Sequence, residues 1–130
     1  MEVQIISFPK INDPRGNLTF LQHPTHIPFL IERVFWTYDV PGGEKRGGHA
    51  YKKQQEVIIS ISGSFDVVIT EPDGGIKKYF LNRSYFGLWV PPGTWRHMEN
   101  FSTNSLALHL SSMKYSESDY IRDFETFRAL

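Results

Sequence analysis

The residues best equipped for chemistry lie in one run, Arg46-Gly47-Gly48-His49-Ala50-Tyr51-Lys52-Lys53-Gln54-Gln55-Glu56. Side chains of an extended strand repeat every two residues, so His49 and Tyr51 share a face if this stretch is a strand. An imidazole then stands beside a phenol, with a guanidinium a short way upstream. Histidine titrates near neutral pH and is the usual proton carrier, so the run offers a proton-transfer site.

The rest of the chain must hold that run in place. Short segments rich in β-branched and aromatic residues recur between glycines and prolines. Strands are expected at Val3 to Phe8, Leu18 to Leu21, Ile31 to Val40, Glu56 to Ser62, Phe65 to Thr70, Ile76 to Leu81, Phe86 to Val90, Trp95 to Asn100 and Ser105 to Ser111. Asn12-Asp13-Pro14-Arg15-Gly16-Asn17, Pro41-Gly42-Gly43 and Pro72-Asp73-Gly74-Gly75 read as turns, and the loop holding His23 and His26 is broken by two prolines. Only the tail reads as helical. Ser116 or Ser118 would cap a stripe of Tyr120, Ile121, Phe124 and Phe127. This pattern predicts one all-β domain over residues 1–130, an antiparallel sandwich or barrel with a short C-terminal helix.

Composition narrows the chemistry. The 130 residues include 14 basic and 14 acidic side chains, so there is no electrostatic footprint for nucleic acid or an anionic membrane. No apolar run is long enough to span a bilayer. The start, Met1-Glu2-Val3-Gln4-Ile5-Ile6, lacks the basic-then-apolar plan of a secretion signal, and a cytoplasmic location is the simplest reading. Cysteine is absent, which excludes disulfides, thiol catalysis and thiolate metal sites.

Spacing makes the central run more specific. Gly43, five residues, His49-Ala50-Tyr51, four residues, Glu56, six residues and Gly63 resemble the first cupin motif, with Tyr51 where a second histidine belongs. Pro91-Pro92-Gly93, two residues, Arg96, three residues and Asn100 resemble the end of the second motif, with Arg96 in place of histidine. A cupin is a jelly-roll barrel, the double-stranded β-helix, in which the two motifs share one pocket.

A closer resemblance covers nearly the whole chain. Pro28-Phe29-Leu30-Ile31-Glu32-Arg33-Val34-Phe35-Trp36, Arg46-Gly47-Gly48-His49-Ala50, Gly87-Leu88-Trp89-Val90-Pro91, Trp95-Arg96-His97-Met98 and Ser118-Asp119-Tyr120-Ile121-Arg122-Asp123-Phe124 are similar to the sugar 3,4-ketoisomerases related to the WxcM C-terminal domain. The resemblance implies a homodimeric cupin without metal or cofactor. It implies a dTDP-4-keto-6-deoxyglucose substrate whose keto group moves to C3, in deoxyamino-sugar biosynthesis for surface polysaccharide.

The C3 hydrogen of such a substrate is acidic because it adjoins the C4 ketone. A base removes it, an enediol forms, and a proton returns at C4. By resemblance His49 is the base. Tyr51 could donate to the enediolate or shuttle a proton between oxygens, although a phenol, with a usual pKa of about 10, is a poor neutral-pH base. Arg96 is expected to face the pocket and His97 to face away; a bulge would exchange them and make His97 the group returning the proton. Arg15 and Arg46, beside glycines in turns, are candidates to grip the diphosphate or steady an oxyanion. Trp89 and Trp95 are candidates to stack on the base or the sugar. His109 alternates against Leu106, Leu108 and Leu110 and is not expected in the pocket.

Metal catalysis is disfavoured because Arg96, a cation near neutrality, stands at a metal-ligand position. Tyr51 leaves two alternatives open: a non-catalytic nucleotide-sugar-binding cupin, and a cupin epimerase using a His base and a Tyr acid.

Overall fold

In the computed structural model, residues 2–130 are described. In chain order the strands are β1 (Gln4–Ser7), β2 (Lys10–Ile11), β3 (Leu18–Thr19), β4 (Arg33–Tyr38), β5 (Arg46–Tyr51), β6 (Glu56–Ser62), β7 (Phe65–Thr70), β8 (Ile76–Leu81), β9 (Phe86–Val90), β10 (Trp95–Glu99), β11 (Leu106–Ser111) and β12 (Tyr120–Ile121). They form two five-stranded antiparallel sheets, ordered β1-β9-β6-β11-β4 and β12-β5-β10-β7-β8, and a small β2-β3 pair. This is the all-β, jelly-roll plan of a cupin.

Apolar residues fill three layers. Between the sheets, Ile58, Phe65, Val67, Ile69, Leu81, Leu88, Val90, Met98 and Ala107 close one end of the barrel. On the outer face of the first sheet, Val57, Ile59, Trp89 and Leu110 pack under Phe8, Ile27 and Phe29 from the N-terminal arm. At the edge of the second sheet, Ala50, Trp95 and Ile121 pack under Phe127, with Phe124 alongside. The first sheet is therefore apolar on both faces, which is why its β6 reads as an unbroken apolar run rather than an alternating one.

The tail differs from its expected helix. Tyr120 and Ile121 are extended and pair with Tyr51 and Ala50. The helix α1 runs only from Phe124 to Arg128, and its cap is Asp123, whose side chain accepts from the Thr126 N–H. Backbone pairing to β5 outweighs the helical stripe, and the apolar residues are buried either way. Ser116 precedes a single 3₁₀ turn and makes no side-chain cap bond.

Candidate active site

A cavity of about 500 Å³ opens at the other end of the barrel. Its wall includes His49 and Tyr51 from β5, Glu56 and Ile58 from β6, and Arg96 and Met98 from β10. Phe35, Thr37, His109 and Tyr120 complete it, with Lys45, Arg46 and Arg122 bringing positive charge.

The register explains why these side chains meet. Arg96 lies directly opposite His49 across the β10–β5 pair, so both point inward. The next pairing is Met98 with Arg46, one residue out of step, which marks a bulge in β5. Gly47 has φ +76°, a left-handed conformation suited to glycine, and lets the strand absorb the extra residue without rotating His49 away. The two motifs are also tied through the backbone, since the Gly93 N–H donates to the Tyr51 carbonyl at 2.7 Å. Beyond β5, buried Asp119 accepts from the backbone N–H groups of Lys53 (2.9 Å) and Gln54 (3.1 Å). The C-terminal segment is thereby fastened to the turn between β5 and β6.

Charge is buried here to an unusual degree. Glu56 and Arg96 are each only 2% exposed, with Oε1 and Nη2 3.6 Å apart. Burial alone would raise the Glu56 pKa; the Arg96 guanidinium, then the His109 hydrogen bond, instead hold it down at about 2. His109 Nδ1 lies 3.1 Å from Glu56 Oε2, and its Nε2 lies 3.1 Å from Thr37 Oγ1. Its ring stacks on Phe35 with centroids 4.3 Å apart.

Two polar groups at this wall lack partners. None of the three Arg96 guanidinium nitrogens has a hydrogen-bond partner, and neither does His49 Nε2. The Arg96 guanidinium instead sits over the Tyr51 ring, 4.8 Å from its centroid. Burial, then the Arg96 charge, pushes the His49 pKa down to about 3, so its imidazole is neutral near pH 7. Tyr51 moves the other way. Burial, then the Glu56 charge and its bond to Tyr120, raises it well above the ordinary phenol range.

Several expected residues are elsewhere. His97 occupies the outer face of β10, where Nε2 is 2.7 Å from Glu99 Oε1. The bulge lies in β5, so the facing of Arg96 and His97 is not exchanged. Trp95 is wedged against Phe124 and Phe127 at centroid distances of 5.3 and 5.7 Å. Trp89 packs beneath the N-terminal arm and donates Nε1–H to Gln55 Oε1 at 3.1 Å. Arg15 is 91% exposed and grips Asp13 in its own turn. These four do not line the cavity. Arg46 does, though it opens β5 rather than sitting in a turn.

His109 departs from expectation in the opposite sense. Leu108 and Leu110 face the second core, under the N-terminal arm, so alternation directs His109 inward. Thr37, Phe35, Tyr120 and Arg122 are further wall residues that the motifs did not point to. Alternation along Arg33–Tyr38 could have revealed the first two.

Among the described residues, no group of three or more His, Cys, Asp or Glu is arranged to hold a metal ion. The carboxylate that a metal would need is engaged by Arg96 and His109. No helix among the described residues is long and apolar enough to cross a membrane.

Fold and cavity together define a cupin whose pocket carries acid–base and cationic groups. The chain belongs to the WxcM-like, C-terminal family, whose model matches residues 1–130. It is 39% identical over 129 residues to the TDP-4-oxo-6-deoxy-alpha-D-glucose-3,4-oxoisomerase of Aneurinibacillus thermoaerophilus, covering 98% of this chain and 91% of that one. A 3,4-ketoisomerase from Helicobacter canadensis superposes with a TM-score of 0.94 at 37% identity, covering 99% of this chain and 96% of the other. A sugar 3,4-ketoisomerase from Thermoanaerobacterium thermosaccharolyticum, solved in complex with TDP, also gives 0.94, at 35% identity over 98% and 92% of the two chains.

Proposed function

We infer that this protein is a nucleotide-sugar 3,4-ketoisomerase that moves the keto group of a dTDP-4-keto-6-deoxyhexose from C4 to C3, in deoxyamino-sugar biosynthesis. The observation that carries the mechanism is the pairing, on adjacent strands, of a neutral imidazole and a buried guanidinium, in which His49 Nε2 and all three guanidinium nitrogens lack a hydrogen-bond partner.

His49 Nε2 takes the C3 proton. The C–H electron pair becomes the C3–C4 double bond, and the carbonyl pair moves to O4. Arg96 donates to the oxygen where that charge develops. Its guanidinium is already desolvated and fixed, so little reorganisation is needed at the moment of reaction. The diphosphate and the enediolate bring negative charge that offsets Arg96, which lifts the His49 pKa from its resting value towards the working range. The proton then returns from His49 to C4. Lys45, Arg46 and Arg122 supply the cations for the diphosphate.

The test is to incubate the protein with dTDP-4-keto-6-deoxyglucose in deuterated water and follow the sugar by NMR. Deuterium at C3 of the substrate together with a 3-keto product is expected. Exchange without migration would point to an epimerase, and binding with neither to a non-catalytic module.

The proposed assembly is a homodimer. On the edge strand β4, alternate residues Val34, Trp36 and Tyr38 are exposed, Trp36 at 57%. An apolar edge strand of this kind invites pairing with a second copy. Strand β1 forms the opposite edge of the same sheet, paired on one side with β9 of its own chain. The proposed place of action is the cytoplasm, where nucleotide-activated sugars are made.

A further inference from the structure

The isomerisation moves two protons. One passes from C3 to C4. The other must leave O3 and arrive at O4, because the product has a carbonyl at C3 and a hydroxyl at C4. An imidazole occupied with the first cannot readily carry the second. Tyr51 and Tyr120 stand together in the cavity wall, their hydroxyl oxygens 3.2 Å apart. Their rings meet edge to face with centroids 4.7 Å apart, and the Tyr120 ring lies 5.2 Å from that of His49.

Tyr120 is held there by several contacts. Its backbone pairs with Tyr51 across β12 and β5. The Arg122 guanidinium covers its ring at 4.1 Å. Glu117 in turn pins Arg122 through two bonds of 2.7 and 2.9 Å. Buried Asp119, immediately before it, anchors the segment to the backbone after β5.

We propose that Tyr120 is a further catalytic residue, and that the Tyr51–Tyr120 hydroxyl pair is the relay that carries a proton from O3 to O4. This rests on the isomerase reading above. A neutral phenol both donates and accepts, so two bonded hydroxyls can pass a proton along without either becoming charged. In the first half, His49 takes the C3 proton and the carbonyl pair settles on O4 as an enediolate. The relay then acts in one concerted shift: O3–H gives its proton to one hydroxyl as the other gives its own to O4, so both phenols remain neutral. In the second half, the electron pair left on O3 becomes the C3 carbonyl π bond and the C3–C4 pair takes the proton held by His49 at C4. No oxidant or reductant is consumed. The high pKa of Tyr51 fits this role, because it keeps the phenol protonated throughout.

The relay predicts a change in partition rather than a uniform loss. If it is cut, the enediolate still forms and still recaptures a solvent proton at C3, but it advances to product less often. In deuterated water, Tyr120→Phe is expected to slow 3-keto product formation about tenfold or more while C3 exchange slows less than about twofold, so exchange per turnover rises. Tyr51→Phe should move the same ratio in the same direction. Unchanged rates, or exchange and product falling in parallel, in folded protein of wild-type melting temperature would overturn the relay. If wild-type protein gives neither exchange nor product, the isomerase reading itself falls and the relay with it.

Discussion

The two ends of the barrel are built from the same strands and by opposite rules. At one end, Phe65, Val67, Leu81, Leu88 and Val90 pack as an apolar core. At the other, Glu56, Arg96 and His109 are buried just as completely, yet carry charge and polarity. Strand β6 contributes Glu56 to the polar end and Ile58, which marks the boundary, to the apolar one. The apolar end stabilises the fold through burial. The polar end gives up stability, since desolvated charges are costly even when paired. The difference supports placing the proposed binding and catalysis at the polar end, where the Arg96 guanidinium is buried without a hydrogen bond and a ligand could complete it.

Substitutions at each end should sharpen that contrast. Arg96→Met leaves the Glu56 carboxylate buried without its cation, and is expected to cost about 3 kcal/mol or more of stability along with most of the turnover. Leu88→Ala should cost about 2–5 kcal/mol through the cavity it leaves, while the folded fraction keeps its kcat. Thermal unfolding combined with assays below the melting temperature separates the two. Equal loss of turnover from both would break the distinction.

Acid should attack the polar end first. His49 is held down to about 3 in the folded protein from an ordinary value of 6.5, so below pH 6.5 the unfolded chain binds a proton that the folded one refuses. Its contribution is present above that pH and is lost as pH falls towards 3. Glu56, held at about 2 against 4.5, adds a similar loss between those values. Stability measured by denaturant is therefore expected to fall steadily from pH 6.5 downward, with His49→Asn reducing the slope by about one proton between pH 6.5 and 4. A slope unaffected by the variant would contradict the depressed histidine.

The smallest effect is expected at His97, one residue from Arg96 and on the outer face. His97→Ala should change stability by about 0.5 kcal/mol or less and leave kcat unchanged, because its partner Glu99 is also contacted by Lys78 at 3.1 Å. A large loss of kcat would reopen the facing of this strand.

Much of this was legible from residue spacing. The strands Glu56–Ser62, Phe65–Thr70, Ile76–Leu81 and Phe86–Val90 have the expected bounds, because glycine and proline punctuate β segments sharply. Alternation correctly separated Arg96 from His97. His109 was not expected in the pocket, yet the Leu108 and Leu110 that alternate with it face a second core under the N-terminal arm, outside the barrel, which turns the histidine inward. Tyr120 and Arg122 were hidden for a different reason. Their place in the wall depends on a two-residue strand paired to β5 from about 70 residues away in sequence, a non-local contact that periodicity does not record. The tryptophans illustrate the same limit, since an aromatic suited to stacking on a ligand is equally suited to packing under a helix.

The central claim is that the neutral imidazole of His49 removes the C3 proton. Solvent exchange by the His49→Asn variant tests it most directly. Folded variant incubated with dTDP-4-keto-6-deoxyglucose in deuterated water should incorporate deuterium at C3 at least about a hundredfold more slowly than wild type, with binding of the nucleotide sugar retained. Exchange at near the wild-type rate would contradict the account and place the base on another residue of the cavity.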